Sequence, residues 1–195
     1  MGDALDLYLT VEAHRLPAFY ELLATGFRVP AAAGSGIREV LISRVGLDRK
    51  YLEENVQTVF LNGRAVDDFD GTKVSTGDVL ALSSAMPGLV GAVFRRQSPL
   101  ATMRGVGLEG LNLTENKASD GWITLKLFNR VASDLGPHFL TDGIRIEAGQ
   151  LARFLQFHTD LRYERVQING NASDAREMAG MLDSASGVRL RVKSA

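Results

Sequence analysis

The chain has 195 residues, 45% of them hydrophobic, 23% charged and 7% aromatic, and 22 Lys plus Arg against 23 Asp plus Glu give a formal net charge of -1. It is too apolar for a disordered chain, and its balanced charge supplies no bulk attraction to nucleic acid or an anionic membrane. With no cysteine, disulfides, thiolate metal sites and cysteine nucleophiles are all excluded.

The opening residues Met1 to Asp6 lack the basic region and apolar core of a secretory signal. Leu5, Leu7 and Leu9 alternate with other residues at the period of a half-buried strand. Leu16, Phe19, Tyr20 and Leu23 then follow a helical stripe, and Gly26 to Val29 reads as a second strand. Ser35 can cap a helix whose Ile37, Val40, Leu41 and Val45 share one face. Val59 to Leu61, Asn62-Gly63 and Arg64 to Val66 form a hairpin signal, since Asn-Gly tolerates positive φ. A turn at Thr76 to Asp78 leads into a strand from Val79 to Leu82.

The second half follows the same order. Ile123, Leu125 and Leu127 alternate as Leu5, Leu7 and Leu9 do, and Phe139 to Ile146 corresponds to Leu22 to Val29. Leu151, Phe154, Leu155 and His158 give a helical stripe. Val166 to Asp174 matches Val59 to Asp67 at five of nine positions, and Leu190 to Ala195 echoes Leu80 to Ala85. Segments recurring in one order indicate a diverged tandem repeat. The expected fold is α+β, a β-grasp (ubiquitin-like) unit at 1–85, a connecting segment at 86–121, and a second β-grasp-like unit at 122–195.

Within that reading, three segments carry a family resemblance: Leu61-Asn62-Gly63, Gly77 to Leu82, and Met86-Pro87-Gly88-Leu89-Val90-Gly91. Residues 59–91 resemble the C-terminal half of ubiquitin-like sulfur carriers, such as the small subunit of molybdopterin synthase and the thiamine sulfur carrier. The resemblance implies the β-grasp fold, also shared with RNA-associated modules, and an accessory or carrier-like role in sulfur or cofactor metabolism. Carriers of that family use a terminal Gly-Gly carboxylate. Here Gly88 and Gly91 are separated and followed by more than a hundred residues, and Ser194-Ala195 ends the second half, so that chemistry is not expected.

Residues that could do chemistry are few. His14, His138 and His158 have no metal-site spacing, and His158 reads as a helix-terminal histidine. Asp67-Asp68-Phe69-Asp70-Gly71 resembles part of a calcium loop, but its twelfth position, counted from Asp68, is Val79, so a solvated loop is expected. Gly34-Ser35-Gly36 lacks a phosphate-loop lysine and reads as a helix start. No catalytic residue, metal ligand or cofactor is expected.

Two kinds of surface remain. Arg95, Arg96 and Arg104 in the connecting segment are candidates for an anion site, since guanidinium forks hold carboxylate or phosphate. Arg189, Arg191 and Lys193 alternate with Val188, Leu190 and Val192, giving a strand with one basic face. Acids and bases balance within each half, 12 against 11 up to Gly105 and 11 against 11 after it, which argues against nucleic acid. The uncharged run from Val79 to Phe94 is too short and too broken by Pro87 and glycines to span a membrane. Its Met86, Pro87, Leu89, Val90, Val93 and Phe94 need a cover, from within the chain or from another copy. The functional expectation is a cytoplasmic, non-enzymatic binding or assembly protein, homo-oligomeric, engaging a partner protein or small anion. An RNA-associated module is an alternative.

Overall fold

The structure, a computed structural model, describes residues 4–85, 88–105 and 121–195. In chain order the strands are β1 (Leu5–Val11), β2 (Phe27–Pro30), β3 (Thr58–Leu61), β4 (Arg64–Ala65), β5 (Val79–Ser83), β6 (Trp122–Phe128), β7 (Ile144–Glu147), β8 (Tyr163–Ile168), β9 (Asn171–Ser173) and β10 (Gly187–Ser194). The helices are α1 (Tyr20–Thr25), α2 (Ile37–Glu39), α3 (Arg49–Glu54), α4 (Gly88–Phe94), α5 (Asn129–Asp142), α6 (Ala148–Phe157) and α7 (Ala175–Ser184). A tighter helical stretch, Ala13–Phe19, leads into α1, and another, Ala101–Gly105, follows α4. The molecule is thus a mixed α/β protein. Among the described residues, no helix is long and apolar enough to cross a membrane.

Contacts divide the chain into two compact units, one of Met1–Phe27 with Ser133–Ala195 and the other of Arg28–Ala132. The boundaries fall inside β2 and α5. In the first unit the strand order is β7-β10-β1-β8-β9. Its two central strands come from opposite ends of the chain: β1 runs parallel to β10, from Leu5 opposite Val188 to Val11 opposite Ser194. β8 is antiparallel to β1, and β7 is antiparallel to β10. The alternation in β1 places Leu5, Leu7, Leu9 and Val11 in the core, where they meet Val188, Leu190 and Val192. Each such side chain contributes roughly 1.5–3 kcal/mol of burial free energy. The 13–19 stretch, α6 and α7 cover this face, and Phe19 packs against Phe154 with ring centroids 5.1 Å apart.

The second unit repeats the arrangement of two central parallel strands, in the order β4-β3-β5-β6 with β2 beyond β6. β5 and β6 run parallel, from Val79 opposite Thr124 to Ser83 opposite Phe128, and β3 is antiparallel to β5. Leu80, Leu82, Ile123, Leu125 and Leu127 form the buried face. Both Asn-Gly pairs turn hairpins as the sequence predicts. Asn62 and Gly63 have φ of 49° and 78°, and Asn169 and Gly170 have 50° and 84°, the double positive φ of a two-residue turn that matches strand twist.

One local expectation is corrected. Ser35 does not cap the helix that carries Ile37, Val40 and Leu41; Gly36 stands at the cap, with no side-chain cap bond. The loop at 69–72 supplies the acceptors instead: the Ile37 amide donates to the Thr72 carbonyl and the Arg38 amide to the Phe69 carbonyl. That loop passes so close that a Cβ at Gly36 would lie 3.0 Å from the Asp70 carbonyl oxygen. Beyond Glu39 the helix widens: the Val45 amide donates to Val40, five residues back, a loosened turn that still keeps Val40, Leu41 and Val45 buried.

Candidate functional site

In the first unit the period of two along each strand sends every second side chain to the face opposite the core. Strand register then assembles that face from distant parts of the sequence. Arg145 lies opposite Arg189, which lies opposite Asp6; Arg191 lies opposite Tyr8, which lies opposite Gln167; Lys193 lies opposite Thr10, which lies opposite Arg165. Five cations thus share one sheet face with an aromatic ring on a central strand. Arg145, Arg165, Arg189 and Lys193 are exposed, while Arg191 and Tyr8 are half-buried.

The acids on this face are Asp6 and Glu147. Arg191 donates from Nη2 to Asp6 Oδ2 at 2.9 Å, and its guanidinium carbon lies 5.7 Å from the centroid of the Tyr8 ring. The Asp6 Oδ1 and Arg191 Nε atoms are buried without a hydrogen-bond partner among the described residues. Arg189 donates from Nη2 to the Asp142 carbonyl. Gly143 keeps the floor low beneath these side chains: it has a φ of 102°, and a Cβ there would lie 2.9 Å from Arg191 Cγ. Arg189, Arg191 and Lys193 were legible as a basic strand. Arg145, Arg165 and Tyr8 were not, because only β-pairing, across 44 residues for Arg145 and more than 150 for Tyr8 and Arg165, brings them to it.

The connecting-segment arginines have a different setting. Arg104 holds Asp67 bidentately, with Nη1 2.5 Å from Oδ2, and also donates to the Val93 and Arg95 carbonyls at 2.9 and 2.7 Å. Burial pushes the Asp67 carboxyl up. The hydrogen bonds from Arg104 and the Gln97 amide, with the charges of Arg104 and Arg96, outweigh it and hold the group below the usual carboxylate range. Arg96 lies 4.8 Å over the Phe69 ring and donates to the Glu53 carbonyl, while Arg95 is exposed. Arg96 and Arg104 therefore tie loops of the second unit together.

The apolar run divides. Met86 and Pro87 lie outside the described residues. Val93 is buried, and Phe94 packs on Phe60 with centroids 5.3 Å apart, so this end of α4 covers part of the second sheet. Leu89 and Val90 are 64% and 65% exposed, and Met103 in the following helical turn is 49% exposed.

Other sequence candidates have local partners. Asp68 Oδ1 accepts from the Asp70 and Gly71 amides, and Asp70 accepts from Arg38 Nε at 2.9 Å. His158 ends α6, 2.8 Å from Glu21 and stacked 4.4 Å from Phe154. Among the described residues, no group of three His, Asp or Glu side chains could hold a metal ion. The chain matches no protein-family model, no curated protein and no solved structure.

Proposed function

We propose that this is a non-enzymatic binding protein whose site is the cationic sheet face of the first unit, and that its ligand is single-stranded RNA. The observation that carries the reading is the register that sets Arg145, Arg165, Arg189, Arg191 and Lys193 on one face with Tyr8. Cations spaced along adjacent strands track a phosphate backbone, and an aromatic ring on the central strand offers a base a stacking surface. An A-form duplex offers no such stacking, so single strands fit better. The small net charge of the whole chain does not oppose this, since the site's excess is local.

The fold reading behind it is a diverged β-grasp duplication in which the two copies exchange first strands. Both halves run strand, helix, strand, helix, hairpin, strand, with an added helix, α7, before the last strand of the second half, and each unit takes its parallel central pair from both halves: β1 with β10, and β5 with β6. This supports the duplication. The helix between the first and second strands of each half departs from a plain β-grasp hairpin.

The test is fluorescence anisotropy of a labelled oligouridine with the full chain at low salt. Micromolar binding is expected, and Arg189→Glu with Arg191→Glu should abolish it. Binding that survives both reversals overturns the reading, and capture of an acidic peptide in preference to RNA redirects the face to a protein partner.

A second reading, self-association, is favoured by one observation: Leu89, Val90 and Met103 are exposed apolar side chains on neighbouring helical segments.

A further inference from the structure

A second concavity lies on the helical side of the first unit, where the end of α6, the 158–162 turn, the start of β8 and the first turns of α7 meet. Its volume is about 500 Å³, within the range of small-molecule sites. One wall is aliphatic, made by Leu155, Leu161, Met178 and Ala179. Met178 is 2% exposed, so the floor is dry, and a thioether side chain adapts to irregular apolar bodies.

The lining also carries Arg162 and Tyr163. Neither side chain has a hydrogen-bond or ion-pair partner among the described residues. A register shift between Thr10 and Val11 explains why Tyr163 is here at all. β8 skips Glu164, and Tyr163 falls opposite Val11, a core-facing residue, so its ring turns to the helical side. Burial there pushes the phenol up to about 12, so it stays protonated and able to donate a hydrogen bond. Of the charged groups beside it, His158 pairs with Glu21 and Asp160 with Arg15.

From this geometry we infer that the cavity binds a small monocarboxylate with an unbranched aliphatic body, its carboxylate held by Arg162 and the Tyr163 hydroxyl. One unpaired guanidinium and one phenol match a single negative charge, whereas a phosphate would need more donors. Beside Arg162, Tyr163, His158 and Thr159, the lining is aliphatic (Leu155, Leu161, Ala175, Met178 and Ala179), which favours an acyl chain for the body of the ligand.

The experiment is calorimetric titration of the full chain with sodium octanoate, and in parallel with octanol. One saturable site is expected for octanoate, weakened about tenfold or more by Arg162→Ala, the loss of one charge-assisted contact. Ala179→Trp, at an exposed helix position, should fill the cavity and remove binding while leaving the circular dichroism unchanged. Arg189→Ala with Arg191→Ala should leave octanoate affinity unaltered, which separates this site from the sheet face. Absence of saturable heat at millimolar octanoate, equal affinity for octanol, or indifference to Arg162→Ala would each overturn the inference.

Discussion

The two units build the same central pair of parallel strands and treat the second face of the sheet in opposite ways. In the first unit that face carries Arg145, Arg165, Arg189, Arg191 and Lys193. In the second, the matching face carries Phe60, Ala81 and Lys126, aligned by register, and Phe94 of α4 packs onto Phe60. An apolar face must be covered, and the chain supplies a segment to cover it. A face of charged, mostly exposed side chains needs no apolar cover. The difference teaches that the apolar run after β5 is, in part, structural, and it places the proposed binding surface in the first unit.

The sharpest break of this comparison is at β1. Leu9 is fully buried between β10 and β8, so Leu9→Ala should cost about 2–5 kcal/mol in urea unfolding. Hydrogen exchange should then accelerate in β8 and β10 and stay unchanged in β3 and β5. Uniform acceleration would mean that the two units are one cooperative body.

Phe60→Ala comes next. The side chain is half-buried, so the loss should be smaller, about 1–2 kcal/mol, and α4 should become a site of limited proteolysis. Leu89→Asp, at an exposed position one turn away, should change stability by no more than about 0.5 kcal/mol. If the chain self-associates through this segment, light scattering will report a fall in mass with that variant. An unchanged mass removes the self-association reading.

The smallest effect concerns acid. Asp67 has a depressed folded pKa, so its pairing with Arg104 stabilises the protein above the ordinary carboxylate pKa of about 3.9 and is lost as pH falls through the lower folded value. Asp67→Asn should therefore lower stability by about 1 kcal/mol or less at neutral pH, and by progressively less as pH falls below the ordinary carboxylate range. Thermal melts across that range will check it.

Much of this frame was legible in the sequence because its signals are local. Alternating Leu5, Leu7 and Leu9, the two Asn-Gly turns and the stripe Ile37, Val40, Leu41 each fix a segment through bonds or periods spanning a few residues. The cap at Gly36 was missed because its acceptors lie some thirty residues ahead, in a loop with no acceptor side-chain motif. The cationic face was half legible. Arg189, Arg191 and Lys193 sit on one strand, whereas Arg145 joins them only when β7 pairs with β10, and Tyr8 and Arg165 only when strands from both ends of the chain pair. The cavity was invisible for the same reason: a one-residue register shift decides where Tyr163 points.

The central claim is that the sheet face of the first unit binds a polyanionic single strand, and its most direct test is the salt dependence of oligouridine affinity for the unmodified chain. If three to five of the face's cations each displace a counterion, the logarithm of affinity should fall against that of salt with a slope of about -2 to -3.5. A flat line, or no binding at low salt, would contradict the account.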